Sequence, residues 1–176
     1  MSKRSALTRR RFLQVAATAA ASTALVSCGR HAGPWRFFTP GEARTIEALC
    51  EQIVPADQDP GATSAGTIYY IDSQLVGHFR KLQTAYRGGM AAFDAACHSA
   101  HGQPFAGLPF DQQTDFLNQL PNSLQPFFDM VITHTMQGFY GDARHNGNRD
   151  AISWRMLGIP VIPIRGRDHY EFPRRG

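Results

Sequence analysis

The stretch TPGEARTIEALCEQIVP, residues 39–55, settles the class of fold. Thr39 with Glu42 three residues on is a capping box. The threonine hydroxyl can accept from the third helical amide while the glutamate reaches back to the cap, and Pro40 suits a first turn. Ile46, Leu49, Cys50 and Ile53 then recur at steps of three and four, giving one apolar helical face that Pro55 brings to an end.

The same periodicity recurs downstream. From Thr67 it runs through Ile68, Ile71, Leu75, Phe79, Leu82 and Tyr86, with a break predicted at Gly88-Gly89 and a resumption over residues 90–97. A shorter helix is predicted over residues 112–120, capped by Asp111, with Phe116, Leu117 and Leu120 inward. Another is predicted over residues 125–139, burying Phe127 or Phe128, Val131, Ile132 and Phe139. No strand-like alternation competes. The expectation is an all-α fold, a small single-domain bundle of four to five helices with an irregular Pro/Gly/Arg-rich C-terminal segment. In that segment only residues 150–157 suit a regular element, and Trp154, Tyr170 and Phe172 must pack on the domain or on a partner.

Upstream the chain changes character. Residues 1–28 read as a signal peptide: a basic head (Lys3, Arg4, Arg9, Arg10, Arg11), a weakly apolar run over residues 15–26, and small residues before Cys28. That run is too short to span roughly 30 Å of hydrocarbon, which takes about 20 residues. Thr8-Arg9-Arg10-Arg11-Phe12-Leu13-Gln14 resembles the twin-arginine export motif, with Arg9, Arg10, Phe12 and Leu13 at its defining positions. Leu25-Val26-Ser27-Cys28 resembles a lipobox, which makes Cys28 the lipidation candidate, although an ordinary cleavage after a small residue fits the same residues. Residues 29–38 read as a tether whose Trp35, Phe37 and Phe38 can dock on the domain of residues 39–176.

Of the 18 Lys/Arg, five precede Cys28 with no acid among them, so the remainder carries 13 basic against 14 acidic residues. The case for nucleic acid disappears with that near-balance. Charge is polarised within it, since residues 144–176 hold seven arginines and three acids, the pattern of a solvated tail or a docking segment. Cys50 and Cys97 admit either a disulfide or two buried thiols.

The inventory of chemistry is thin. Asp57, Asp59 and Gly61 suggest a calcium loop, yet Gly61 and Ile68 stand where an EF-hand needs its fifth and twelfth positions. Asp94-Ala95-Ala96-Cys97-His98 ends like a c-type haem motif but has Asp in place of the first cysteine. His98 and His101 lack a nearby third ligand and read as surface histidines. His134, mid-helix, reads as a core or interface histidine rather than a base. No catalytic, cofactor-binding or metal residue is assigned.

Three further stretches stand in order: IVPADQDPGATSAGTIYYID (53–72), GFYGDARHNGN (138–148) and SWRMLGIP (153–160). With the export signal they resemble the gluconate 2-dehydrogenase subunit 3 family over nearly the whole chain. Family members often carry another glycine before the Gly-Asn pair, where this chain reads Arg144-His145-Asn146-Gly147-Asn148; Asn tolerates the positive φ such a turn needs. The resemblance implies a non-catalytic small subunit of a membrane-associated complex. The implied partners are an FAD-dependent GMC-type dehydrogenase large subunit, a cytochrome c subunit carrying haem c, and the twin-arginine translocase, at the periplasmic face of the cell membrane. Interfaces favour aromatics and arginine, which points to Tyr140, Trp154 and Arg155, and with Asn148 and Pro160 of the Gly-Asn and Leu-Gly-x-Pro motifs these are the candidate partner contacts. An independent periplasmic lipoprotein, binding a small ligand or shaping the envelope, is the competing expectation.

Overall fold

The computed structural model describes residues 34–160. The export motif (Arg9, Arg10, Phe12, Leu13), Cys28, Tyr170 and Phe172 lie outside the described residues. Those described form six α-helices and no strand: α1 Pro40–Ile53, α2 Thr67–Val76, α3 Gln83–His101, α4 Phe110–Asn118, α5 Gln125–Tyr140 and α6 Ile152–Met156. That is an all-α domain with one helix more than the sequence suggested. None of these helices is long and apolar enough to cross a membrane.

The capping box forms as read: Glu42 N–H donates to Thr39 Oγ1 at 3.3 Å and Thr39 N–H to Glu42 Oε2 at 2.8 Å. Ile46, Leu49 and Cys50 of α1 meet Ile68, Ile71 and Leu75 of α2 in the core, joined by Tyr86, Met90, Phe93, Phe127 and Val131 from α3 and α5. Phe127 is the buried member of its pair, with Phe128 half-buried. Phe93 sits edge-on to Phe105 (5.1 Å) and Phe116 (5.4 Å), an aromatic cluster that closes the far end of the bundle.

Two predicted boundaries move. The break expected at Gly88-Gly89 lies eleven residues earlier, at Gly77, and α3 runs straight through the glycine pair. After Gly77 the chain makes one 3-10 turn, Arg80–Leu82, and the Gln83 side chain donates to the Leu75 carbonyl at 2.8 Å, satisfying an orphan acceptor at the end of α2. Gly89 stays helical because α5 lies against it: a Cβ there would stand 2.2 Å from Phe127 Cδ2. The helix predicted over residues 112–120 begins two residues sooner, at Phe110. Its N-cap is Pro109, not Asp111, which sits in the first turn and makes no cap bond. It closes in tight i to i−3 bonds, Gln119 N–H to Phe116 O and Leu120 N–H to Leu117 O, since Leu120 precedes Pro121 and cannot remain comfortably helical.

The cysteines resolve to two buried free thiols. Cys50 shares a hydrogen bond with Thr135 across 3.2 Å, and burial pushes its thiol up to about 12; Cys97 donates to the Gln103 carbonyl.

His134 is buried in α5, stacked on Phe79 at 4.2 Å, with Tyr86 Oη 2.7 Å from Nδ1. Burial raises the Tyr86 phenol and lowers the imidazole below 6.5, so the tyrosine donates to a neutral histidine. The unfolded chain binds a proton at 6.5 that the folded chain refuses. Stability is therefore complete above that pH and falls as pH drops through 6.5 toward the lowered folded value. Urea titrations at pH 7.5 and 5.5 should show wild type losing more stability than His134→Gln; equal losses would contradict a neutral buried imidazole.

Candidate partner interface

The segment leading into α1 is fastened at Asp72. Its carboxylate, 3% exposed at the end of the Tyr-Ile-Asp stretch, accepts three backbone amides of the entering segment: Arg36 N–H to Oδ2 (2.7 Å), and Phe37 (2.9 Å) and Phe38 (3.0 Å) N–H to Oδ1. These bonds lower Phe37 and Phe38 into the core, and Trp35 stacks on Tyr69 with ring centroids 5.0 Å apart. Arg87 completes the fastening, donating to the Phe37 carbonyl at 2.6 Å, lying 4.1 Å over the Phe37 ring and pairing with Glu42. Burial alone would raise the Glu42 carboxyl, but the bonds from Arg87 and Thr39 outweigh it and hold it lowered.

The loop after α1 is anchored from below. Glu51 accepts Ala56 N–H (2.9 Å) and Thr63 N–H (2.8 Å), Ala62 N–H reaches Val54 O, and Ala62 and Ala65 are fully buried. Asp57 is spent within the loop, its Oδ1 accepting Asp59 N–H at 2.8 Å. Among the described residues no group of three or more His, Cys, Asp or Glu is placed to hold a metal ion. His98 and His101 are exposed at the end of α3.

This loop meets the chain following α5. Arg149 N–H donates to the Ala65 carbonyl at 2.8 Å, so the two stretches that stand apart in sequence become one surface. Between them the backbone adopts left-handed conformations at four non-glycine positions: Asn146 (φ 70°), Asn148 (43°), Asp150 (56°) and Ala151 (52°). Each costs about 1 kcal/mol, less for the asparagines. Asn148 holds the turn. Its Nδ2 donates to Gly141 O (2.8 Å) and its Oδ1 accepts Ser153 N–H (2.9 Å), starting α6. Gly147 needs its missing side chain rather than its φ: a Cβ would lie 2.3 Å from the Gly138 carbonyl oxygen of α5.

The candidate contact residues therefore divide. Asn148 is fully buried and shapes the surface from inside, so it is removed from the set of residues a partner could touch. Trp154 is half-buried and its Nε1 donates to Tyr140 O at 2.8 Å, while Ile159 N–H returns to Trp154 O at 2.7 Å. Tyr140, Arg155 and Pro160 are exposed at this end. Sequence reading missed Leu157 (54% exposed) and Ile159 (45%), which join Tyr140 (38%) in an apolar patch; a leucine and an isoleucine in a segment with no helical period were the available signal. A cleft of about 440 Å³ opens between the entering segment of residues 34–36, α2 and the turn.

A family model described as gluconate 2-dehydrogenase subunit 3 matches residues 40–160, more than half of the chain. No curated protein and no solved structure matches.

Proposed function

The chain belongs to the gluconate 2-dehydrogenase subunit 3 family, and from that membership we propose that it is the non-catalytic small subunit of a membrane-associated, FAD-dependent dehydrogenase that oxidises a sugar acid. It folds against the flavoprotein subunit and carries it through the twin-arginine translocase to the periplasmic face of the membrane, where a cytochrome c subunit receives the electrons. FAD and haem c belong to those partners. Cys28, once lipidated, holds the assembly at the membrane, since several acyl chains anchor far more firmly than one.

One observation carries the reading: the end of the domain built by the 141–151 turn exposes Tyr140, Leu157 and Ile159 around a half-buried tryptophan, with Arg155 beside them. An apolar centre with a cationic rim is the anatomy of a protein–protein contact. The patch also sits where the chain's arginine-rich end begins.

The test is export. With Arg9 and Arg10 both replaced by lysine, the flavoprotein subunit should accumulate in the cytoplasm and its periplasmic dehydrogenase activity should fall at least tenfold. Normal periplasmic flavoprotein in that strain would refute the escort role. A colourless protein that purifies alone would favour the independent lipoprotein instead.

A further inference from the structure

We propose that the cleft between Arg36 and Arg149 is a receptor for an acidic peptide segment of the flavoprotein subunit, gripping one carboxylate between the two guanidinium groups. The inference rests on the small-subunit reading above and says where, and by what chemistry, the partner is held.

Both arginines are fixed at the backbone, and the Arg149 guanidinium is also packed in place. The backbone of Arg36 is pinned by Asp72 at 2.7 Å, and that of Arg149 by Ala65 at 2.8 Å. The Arg149 guanidinium lies 5.5 Å over the Tyr69 ring, and its Nη2 passes so close to Gly66 that a Cβ there would stand 3.1 Å away. A guanidinium packed against an aromatic face loses less freedom when it binds a carboxylate. The two ion pairs formed among the described residues, Arg87–Glu42 and Arg144–Asp142, use neither arginine.

The acids lining the cleft do not cancel these charges. Asp72 is committed to three backbone amides and nearly inaccessible. Asp150 is exposed, at a left-handed position of the turn. A cleft with two cations, one accessible carboxylate, the Ser73 hydroxyl and the exposed Asn146 offers both donors and acceptors, which suits a peptide with its own N–H groups. A phosphodiester group carries no donor of its own, whereas a peptide brings backbone N–H groups that Asp150 can accept beside the carboxylate that the arginines take. The polarity favours a peptide, and the 141–151 turn that lines the cleft leads on to α6 and the exposed Leu157 and Ile159.

The experiment co-expresses the full chain with its flavoprotein subunit, captures the complex through the small subunit, and measures dissociation of flavin-absorbing protein at low and high salt. Wild type should hold the flavoprotein, more weakly as salt rises. Arg36→Glu and Arg149→Ala should each weaken binding about tenfold, the pair more than either, with the salt dependence flattened. Thermal melts near wild type identify variants that fold; Arg36→Glu, at an exposed side chain, isolates the charge even if Arg149→Ala loosens the turn. Wild-type affinity and salt dependence in both variants would overturn the cleft assignment and leave the small-subunit reading intact. No flavoprotein captured by wild type would overturn both. Binding to vesicles of anionic phospholipid that Arg36→Glu abolishes, with flavoprotein capture unchanged, would reassign the cleft to lipid and so refute the proposal.

Discussion

Replacing Asp72 with alanine should cost the domain about 4 kcal/mol of unfolding free energy, which would leave many domains of this size barely folded. The amides of Phe37 and Phe38 lose a charged acceptor in a buried place and that of Arg36 in a half-buried one, and a buried donor left unpaired costs about 1–3 kcal/mol. The loss spreads, because the same bonds hold Phe37 and Phe38 in the core and Arg87 over Phe37. Asp72→Asn, which keeps one acceptor oxygen but turns an NH2 group toward an amide, should cost about half as much. The check is a urea titration of each variant. A midpoint for Asp72→Ala close to wild type would mean that the entering segment is not fastened through this carboxylate. Asp72 also supports Arg36, so the alanine variant should weaken flavoprotein capture as well.

The first helix was readable from sequence because its start is written in local chemistry: Thr39, Pro40 and Glu42 form a cap without help from the rest of the fold. The break after α2 was not. Leu75, Phe79, Leu82 and Tyr86 keep helical spacing across it, since a single 3-10 turn returns the next apolar side chains to the same core. Gly88-Gly89 drew the break instead, each glycine costing about 1 kcal/mol in a helix. Packing against Phe127 overrides that cost, and the contact lies some forty residues away in the chain. The candidate contact residues followed the same division. Trp154, Arg155 and Tyr140 were legible as residue types that interfaces favour, and the structure sets them at one end of the domain. Asn148 was drawn into that set by its motif, yet it works from the interior. Arg36, Asp72 and Arg149 were not legible as a group, because only the folded chain brings residues 36, 72 and 149 to one cleft.

Gly147→Ala should cost about 3 kcal/mol, toward the upper end for overpacking, because the atom it meets belongs to backbone. The new methyl group would stand 2.3 Å from the Gly138 carbonyl oxygen and 2.9 Å from Tyr70 Cβ, and neither can rotate away. Relief requires the 141–151 turn to lift from α5. The turn already carries left-handed backbone at Asn148, Asp150 and Ala151, offset by the two Asn148 hydrogen bonds and the Arg149–Ala65 bond. Lifting it breaks those bonds and releases the strain, so the local unit should open before the core melts. Hydrogen exchange gives the clearest reading: the Arg149 and Ser153 amides should lose protection in Gly147→Ala while amides in the middle of α1 keep theirs. Asn148→Ala should produce the same pattern by removing the hydrogen bonds directly, whereas Arg155→Ala, at an exposed side chain, should leave exchange unchanged. Because Arg149 and the Tyr140–Ile159 patch both rest on this turn, flavoprotein capture should fall in Gly147→Ala by more than the global loss of stability accounts for. If Gly147→Ala melts and exchanges like wild type, the close approach between the turn and α5 is not what holds this face together.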